Sequence, residues 1–242
     1  MNRKANLYWA DLHIHSALSP CSDDSMTPMA IVRQAQKEGL SIIALTDHNS
    51  ALNCPAIIGY NTKDFLIIPG MELQTREEAH LVCLFGSLTA ALGWHDLITR
   101  HRIIKVNQRN YFGKQLIFDG SDRICGEEPD LLLVSTDLSF EEVCQTIPRY
   151  NGFLFPAHID RPSFSVLSNL GFLPDSYRQR IVEISPHYTE RQLKETYPEF
   201  NGFQIIQSSD AHCLSEIGRG RTGFYLPELS WEALAKEMFQ FY

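Results

Sequence analysis

Short apolar runs recur along the chain and set its predicted secondary structure. Most are continuous rather than alternating, which is typical of strands buried on both faces of a parallel sheet. Glycine, proline or polar residues follow each run closely, so each run predicts a strand that ends in a loop. The predicted strands begin near Leu7 and recur at residues 41–45, 65–68, 81–85, 153–155, 181–184 and 203–207.

Helix start and stop signals lie between these runs. Thr27 and Pro28 have the order of an N-cap and a first helical residue, and Gly39 is a natural end for that helix. Ser139 and Glu142 have the spacing of a capping box. The other predicted elements are a helix over residues 87–102, a helix from Ser139 to Gly152, a C-terminal helix capped by Ser230 with Trp231, Leu234, Met238 and Phe241 on its apolar side, and a hairpin over residues 115–125 that turns at Asp119 and Gly120.

Strands and helices alternate about seven times with short connections. This order predicts an α/β fold with a parallel sheet and right-handed crossovers, and seven units favour an irregular barrel over an open sheet. In such barrels the reactive groups collect at the carboxyl ends of the strands. Residues 1–242 are expected to form one domain, with an inserted hairpin and loop region around residues 100–130.

The composition sets broad limits on function. The chain has 242 residues, of which 44% are hydrophobic and 21% charged, as expected of one large globular domain. Its net charge of -8 argues against a general nucleic-acid binder, which carries a basic surface. A metal enzyme remains compatible with this charge, because its ions supply positive charge locally.

The cysteines, the apolar runs and the N-terminal residues predict the cellular compartment. The six cysteines include no Cys-x-x-Cys pair, which disfavours a disulfide framework or a zinc finger, so reduced thiols and a cytoplasmic protein are expected. No apolar run is long enough to cross a membrane. The basic start, Met1 to Lys4, is not followed by a signal-type apolar core, so we expect it to belong to the mature fold.

The first candidate site lies in Asp11-Leu12-His13-Ile14-His15, at the end of the first strand. Alternate side chains of a strand share a face, so His13 and His15 point the same way, about 7 Å apart along the strand. Two such imidazoles can bind one divalent ion, and Asp11 could orient an imidazole from behind. An isolated His-x-His pair is explained as well by two hydrogen-bonded histidines, so the metal interpretation depends on ligands downstream.

Further histidines and carboxylates follow other predicted strands. So many groups in one pocket would repel one another or be desolvated without a cation, and they are too many for a single ion. We therefore predict two or three divalent ions, and the mixture of imidazole and carboxylate suits zinc, manganese or iron rather than calcium. The candidates are His13, His15, Asp47, His48, Glu72, His80, His158, Asp210 and His212, whereas His95, His101 and His187 are expected at the surface.

Taken in order, these motifs resemble those of the PHP (polymerase and histidinol phosphatase) family, from about residue 7 to about residue 224. The resemblance implies a distorted (β/α)7 barrel with up to three metals and a metal-dependent phosphoesterase activity. The motifs that carry it are Asp11-Leu12-His13-Ile14-His15-Ser16, Thr46-Asp47-His48, Pro69-Gly70-Met71-Glu72, His80, Ala157-His158-Ile159-Asp160 and Ser209-Asp210-Ala211-His212.

The resemblance also implies how the ligands divide. Glu72 would bridge two ions, and catalysis would depend on Glu72, Asp210 and His158, with Asp11 and Asp47 behind the ligands. Many family members complete a third site with an Asp or His soon after the first motif. Here that position falls within residues 20–24, so Cys21 or Asp23 must substitute, or the third site is weak. The implied groups are His13, His15, Glu72 and Asp210; Glu72, His80 and His158; and His48 with His212.

The reaction that suits such a site is hydrolysis of a phosphate ester, with a nucleotide among the candidate substrates, by a metal-activated water. There is no Gly-x-Ser-x-Gly elbow and no Walker loop. Arg161 and Arg219 follow two of the motifs and are either phosphate clamps or solvated surface charges. Three alternatives stay open: an exonuclease acting on oligonucleotide ends, an amidohydrolase and a non-catalytic metal-binding domain. An amidohydrolase often uses a bridging lysine, which no predicted strand end supplies.

Residues 100–114 carry positive charge and no acidic residue, an unusual local bias in an acidic chain. Placed over the barrel mouth, these cations would attract a phosphorylated substrate, and Tyr111 or Phe112 would stack on a base. The alternative is an ordinary helix end and loop with solvated charges. No obligate protein partner is inferred. The cations are Arg100, Arg102, Lys105, Arg109 and Lys114.

Overall fold

The structure is a computed structural model that describes residues 5–239. The described part contains ten strands and eight α-helices. The strands are β1 (Asn6–Ile14), β2 (Ile42–Leu45), β3 (Leu66–Gln74), β4 (His80–Phe85), β5 (Leu116–Phe118), β6 (Ile124–Glu127), β7 (Gly152–Pro156), β8 (Ile181–Ile184), β9 (Gln204–Gln207) and β10 (Thr222–Leu226). The helices are α1 (Pro28–Lys37), α2 (Cys54–Ile58), α3 (Leu88–His101), α4 (Arg109–Phe112), α5 (Phe140–Thr146), α6 (Val166–Leu170), α7 (Glu190–Thr196) and α8 (Trp231–Met238).

Six strands form a curled mixed sheet in the order β10-β1-β2-β3-β4-β7. Strands β1, β2 and β3 are parallel, whereas β4 is antiparallel to both of its neighbours and β10 is antiparallel to β1. Strands β8 and β9 form a separate parallel pair. Hydrogen bonds join this pair to the sheet on either side: the N–H of Ile159 donates to the carbonyl of Glu183 at 2.9 Å, the N–H of His15 donates to the carbonyl of Ala211 at 3.0 Å, and the N–H of Gln207 donates to Thr222 Oγ1 at 2.9 Å.

The predicted α/β class and barrel-like architecture are confirmed, but the all-parallel order is wrong at β4. Only residues 75–79 connect β3 to β4, which is too short for a parallel crossover, so the chain turns back as a hairpin. The reversal has a functional consequence. His80 is the first residue of β4, and it therefore lies at the same end of the sheet as the carboxyl ends of β1, β2 and β3.

Alternate residues of the strands supply two separate apolar cores. In β2, Ile43 and Leu45 join the core that contains Ile31 of α1. Ile42 and Ala44 point the other way, into a second core that α8 completes with Leu234 and Met238. The continuous apolar runs of the sequence are explained by this burial on both faces.

Several local signals are present as predicted. Thr27 caps α1, and Ser139 forms a capping box with Glu142, although α5 gives way to a short 3-10 helix at Ile147–Tyr150 before reaching Gly152. The predicted hairpin exists as β5 and β6, but its turn is wider than Asp119-Gly120. Asp119 Oδ1 accepts the backbone N–H groups of Ser121 and Arg123, so the loop occupies residues 119–123.

Other expectations need correction or fall outside the described residues. His95 is buried in α3 rather than exposed, whereas His101 is half-buried beside Asp137 and His187 is exposed. Phe241 and residues 1–4 lie outside the described range. Helices α2, α4, α6 and α7 and strand β10 were not predicted. Within residues 5–239, no helix has both the length and the apolar character needed to span a membrane.

Candidate metal centre

The candidate ligands converge at one end of the curled sheet, around the carboxylate of Glu72 in β3. His80 Nδ1 lies 2.8 Å from Glu72 Oε1, and His158 Nε2 lies 3.2 Å from the same oxygen. On the other oxygen, His48 Nδ1 lies 2.8 Å from Glu72 Oε2. Glu72 is 1% exposed, so it meets these imidazoles without solvent between them. Glu72 thus lies between histidines on both of its carboxylate oxygens.

A second carboxylate, Asp210, completes a tight group with β1. His15 Nε2 lies 3.0 Å from Asp210 Oδ1, and His13 Nε2 lies 3.3 Å from the same oxygen. His13 and His15 also approach Glu72, at 3.2 and 3.4 Å. The ligand atoms of these four residues all lie within 4.8 Å of one another. The structure thus brings together the first of the three groups expected from the sequence.

Two backbone turns aim these ligands. Asp210 has a φ of +50° and His158 a φ of +31°, both in the left-handed region. Aspartate and histidine enter this region more readily than most residues, yet such conformations still cost ~1–3 kcal/mol each. His158 comes two residues after the end of β7 and Asp210 three residues after the end of β9, in turns that point their side chains toward the cluster. The strained backbone conformations therefore occur at two of the candidate ligands, His158 and Asp210.

The imidazole nitrogens of His13 and His15 are arranged as metal ligands would be. His13 Nδ1 donates to Glu183 Oε2 at 2.9 Å, and His15 Nδ1 bonds to Ser19 Oγ at 3.0 Å. The Ser19 hydroxyl donates to Asp47, so His15 Nδ1 must carry the proton. When both imidazoles are neutral, the two Nε2 atoms, 3.1 Å apart, each keep a lone pair for a metal. Two ligand atoms at ~2.0–2.2 Å from one ion lie about this far apart.

The carboxylates show the same need for a cation. Glu72 Oε2 and Asp210 Oδ1 are buried and have no hydrogen-bond partner, although imidazole nitrogens lie 2.8 and 3.0 Å away. Close approach without hydrogen-bond geometry indicates that these atoms point at common positions rather than at each other. The donor set therefore fits divalent metal ions.

A third group lies around His48 and His212. Ligand atoms of His15, His48 and His212 lie within 4.8 Å of one another. Cys21 lies on the exposed loop after β1, beside the last two of these imidazoles. Burial of its sulfur raises the thiol pKa, but the interactions with His48 and His212 outweigh this and lower the pKa to about 6. Of the two candidates from the sequence, Cys21 is the one that approaches this group.

Asp23 has a different role. Its carboxylate is solvent-exposed, and Oδ1 accepts the backbone N–H of Ser25 at 2.8 Å, which lowers the pKa of Asp23. Its backbone N–H donates to the carbonyl of His212 at 2.8 Å. Asp23 thus closes the loop that presents Cys21, while its carboxylate faces away from the ligands.

The charges of the cluster compensate one another. Burial lowers the pKa of His13, but Glu183, Asp210 and Glu72 outweigh burial and raise it well above its usual value. Burial raises the pKa of Glu72, but the imidazoles, His80 foremost, lower it well below its usual value. Without a metal, protons on imidazole balance the carboxylates. A metal must displace those protons, so its binding strengthens as the pH rises.

Buried carboxylates behind the ligands fix their orientation. Glu183, 1% exposed, accepts His13 Nδ1 and also the backbone N–H of His158 at 3.2 Å. Asp47 holds Ser19, which in turn contacts His15. Asp11 does not contact an imidazole, contrary to expectation. It accepts the backbone N–H groups of Ser209 and Gly218 at 3.0 and 2.9 Å, and so fixes the loop before Asp210.

Sequence reasoning missed Glu183, although a signal was present. Glu183 is the one acid in the apolar run of β8, Ile181–Ile184, and all four residues of this strand are buried. A charged residue inside a buried strand requires a partner, because an unpaired buried carboxylate is costly. The partner here is the imidazole of His13.

The two candidate phosphate-binding arginines differ in position. Arg161 lies at the centre: its guanidinium is 2.6 Å from Asp210 Oδ2, and it lines the cavity above the ligands. Arg219 is exposed, 3.9 Å from Glu216, and lines an adjacent cavity of about 320 Å³ that it shares with Arg161. Arg161 is therefore the better placed to meet a group bound at the ligands.

Most of the cationic side chains in residues 100–114 already pair with a carboxylate. Arg102 is buried and pairs with Glu128 at 3.1 Å, so the predicted role of this arginine in attracting substrate is wrong. Lys105 lies over the ring of Phe112, which lines the central cavity. Tyr111 is 81% exposed. The ion pairs of this segment are Arg102–Glu128, Arg109–Glu127 and Lys114–Asp24.

Comparison with known structures gives low identities. Endonuclease Q, in a complex with a 27-mer duplex substrate carrying an abasic lesion, shares 16% identity at a TM-score of 0.75. A two-domain protein of Bacteroides vulgatus, with a predicted PHP-like metal-dependent phosphoesterase, shares 16% at 0.58. An amidohydrolase of Chromobacterium violaceum shares 15% at 0.53. At these identities the likeness concerns the fold.

The coverage of these chains is unequal. The matches cover 98%, 97% and 87% of this chain and 57%, 63% and 90% of the other chains, respectively. This chain therefore spans little more than half the length of endonuclease Q. No curated protein sequence is significantly similar to it.

Two family models cover most of the chain. The PHP domain model matches residues 11–191, and the PHP-associated model matches residues 192–238. The boundary falls between β8 and β9, which pair with each other. Both segments contribute to the cluster, because Asp210 and His212 lie in the second match. The match over residues 11–191 confirms the resemblance seen in the motifs: the chain belongs to the PHP domain family.

Proposed function

We propose that this chain is a metal-dependent phosphoesterase that hydrolyses a phosphate ester by attack of water. The observation that carries the proposal is the buried Glu72 carboxylate, which is surrounded by imidazoles on both oxygens. The PHP family assignment is consistent with it. The substrate class is a phosphomonoester, with nucleotides among the candidates.

Three groups of residues would hold zinc, manganese or iron ions. When bound, such ions lower the pKa of a water and stabilise the negative charge that develops on phosphoryl oxygens. Glu72 belongs to the first two groups and so would bridge them, while Cys21 would complete the third. The groups are His13, His15, Glu72 and Asp210; Glu72, His80 and His158; and His48, His212 and Cys21.

The remaining polar residues have supporting roles. Arg161 would bind the phosphate oxygens that do not react, because its guanidinium fork already lies against Asp210 at the cavity floor. Glu183 and Ser19 keep the protons of His13 and His15 on Nδ1, so that both Nε2 atoms stay available. The sides of the cavity are partly apolar, with Phe112, Leu133 and Phe164 among the lining residues.

An exonuclease acting on oligonucleotide ends is the second candidate. It is favoured by the structural likeness to endonuclease Q, whose described complex contains a DNA duplex. An amidohydrolase is less well supported, despite a structural neighbour of that name, because no lysine lines the central cavity within the described residues.

The test compares substrate classes on metal-loaded protein. We expect turnover of p-nitrophenyl phosphate that is abolished by a chelator and restored by added metal. A diester substrate tests the nuclease alternative, and an amide and a lactone test the amidohydrolase alternative. His158→Gln should abolish turnover, whereas His101→Gln, whose imidazole pairs with Asp137 away from the cluster, should not. Turnover of the amide or lactone alone, or metal binding with no turnover of any substrate, contradicts the proposal.

A further inference from the structure

The cavity above the candidate ligands has an apolar wall. Phe112, Leu133 and Phe164 line the same space of about 420 Å³ as Glu72 and Arg161. This volume lies within the range of ~300–1,000 Å³ that is usual for small-molecule sites. A planar base stacks face to face on aromatic rings, whereas a plain sugar phosphate has no π-face for such stacking. The wall therefore bears on which ester the site accepts.

Phe164 is held in place by an unusual backbone conformation. Its φ is +57°, in the left-handed region that bulky residues rarely adopt. Its carbonyl accepts the backbone N–H of His80 at 2.9 Å, and its ring stacks on the His80 imidazole with centroids 5.0 Å apart. The side chain is nevertheless 44% exposed. Strain that keeps an aromatic ring half-exposed beside a candidate ligand is typical of a functional position.

Phe112 reaches the cavity from another part of the chain. It ends α4 and is followed by Gly113, whose φ is +104°. A Cβ at Gly113 would lie 2.1 Å from the carbonyl oxygen of Pro20, so only glycine allows the backbone to approach the loop after β1 this closely. Nearby, the N–H of Leu116 donates to Ala17 at 2.8 Å. This contact places Phe112 at the mouth of the site.

The charges beside the wall favour a small ligand over a duplex. Binding along a duplex requires a row of cations free to meet successive phosphates. In residues 100–114, three of the five cations already pair with carboxylates, and the whole chain has a net charge of -8. Arg161 also pairs with a carboxylate, that of Asp210, but it lines the cavity and would offer its remaining N–H donors to one phosphate group.

We propose that Phe164 and Phe112 bind one nucleobase while its phosphate lies at the metal centre against Arg161. Substrates are then nucleoside phosphate esters, either free mononucleotides or the terminal nucleotide of a single strand. This inference rests on the proposed phosphoesterase function and names its substrate class. In the reaction, the oxygen of water bonds to phosphorus, the P–O bond to the leaving alcohol breaks, and that alcohol takes up a proton from water.

The test measures the preference for a base. The ratio of kcat/KM for a nucleoside monophosphate to kcat/KM for glycerol phosphate is determined for Phe164→Leu, Phe112→Leu and the control Phe172→Leu. Phe172 is an exposed aromatic residue in a cavity that shares no lining residue with the metal centre. We expect the ratio to fall roughly 5- to 140-fold in the first two variants, as stacking on one base implies, mainly through KM, and to stay unchanged in the control. Metal content, measured in parallel, should be retained.

Several outcomes separate this inference from the proposed function. Wild-type protein that hydrolyses glycerol phosphate as well as the nucleotide, or variants that lose both activities equally, overturn the base-binding role but leave the phosphoesterase intact. No phosphate release from any ester overturns both. A single-stranded oligonucleotide tested beside the mononucleotide shows whether the bound base belongs to a free nucleotide or to the end of a strand. Hydrolysis of either one supports the inference. Cleavage only within a duplex contradicts it.

Discussion

Replacing Glu183 with glutamine tests how the buried carboxylate behind His13 contributes to metal binding. Glu183 Oε2 accepts both His13 Nδ1 and the backbone N–H of His158, whereas its Oε1 is buried without a partner. In Glu183→Gln, the amide oxygen can keep both contacts while the NH2 group takes the unpartnered position. The substitution therefore removes the negative charge, and it also buries an NH2 group without an acceptor, a cost that the Tm of the metal-free variant would report.

The size of the effect follows from the bond that changes. A hydrogen bond to a charged group contributes ~1.5–3 kcal/mol, and one between neutral groups ~0.5–1.5 kcal/mol. Losing the charge should thus weaken the hydrogen bond to His13 by about 1–1.5 kcal/mol. Because this bond supports His13 as a candidate metal ligand, the expected loss in metal affinity is about 5- to 13-fold. This lies near the lower end of the ~10- to 100-fold losses seen when such orienting partners are mutated.

The assay is a chelator competition for Zn²⁺ at fixed pH, with the rise in Tm on metal addition as a second readout. Glu199→Gln is the matched control, since Glu199 is an exposed acid in a cavity that shares no lining residue with the metal centre. Circular dichroism of the metal-free variant establishes that it folds. If folded Glu183→Gln binds Zn²⁺ as tightly as the wild type, the carboxylate does not support His13.

Three further results are expected. Glu72→Gln should lose metal and nearly all activity while far-UV circular dichroism stays native, because Glu72 meets imidazoles on both oxygens; full metal content and turnover would refute the bridging role. Cys21 should be mostly thiolate at pH 7, since its pKa is about 6, so metal-free protein should show a fast alkylation phase that Cys21→Ser removes and added Zn²⁺ suppresses; a rate unaffected by Zn²⁺ would exclude Cys21 as a ligand. Burial raises the pKa of Asp11 from 3.8 to about 6, so its protonated form favours the fold below pH ~3.8 and this contribution is lost as the pH rises to about 6. The unfolding free energy of chelator-treated wild type relative to Asp11→Asn should therefore fall by roughly 2–2.5 kcal/mol between about pH 4 and pH 7 in urea titrations, and a constant difference would contradict the burial argument.

The convergence of the candidate ligands could be anticipated from the sequence, because most of them follow predicted strands. His13, His15, Glu72 and His158 each lie where an apolar run ends, and apolar runs are the most reliable local signal. Pairing direction is not encoded in the same way. His80 reaches the cluster from the start of a reversed strand, which only the short β3–β4 connection could indicate.

The residues that sequence reasoning missed depend on contacts distant along the chain. Glu183 meets His13 across 170 positions. Phe164 lines the cavity through a backbone conformation that composition does not reveal. Arg102 looked available to a substrate, but Glu128 and Asp130 neutralise it after folding. The expectation that residues 1–242 form one domain stays a prediction.

The location of bound metal tests the central claim most directly. Crystals grown with Mn²⁺ or Zn²⁺ and measured at the absorption edge of the metal would show each ion by its anomalous signal. We expect one peak among His13, His15, Glu72 and Asp210 and another among Glu72, His80 and His158, with Glu72 bound to both. A single peak that does not involve Glu72, or no peak in the cluster at saturating metal, would contradict the account.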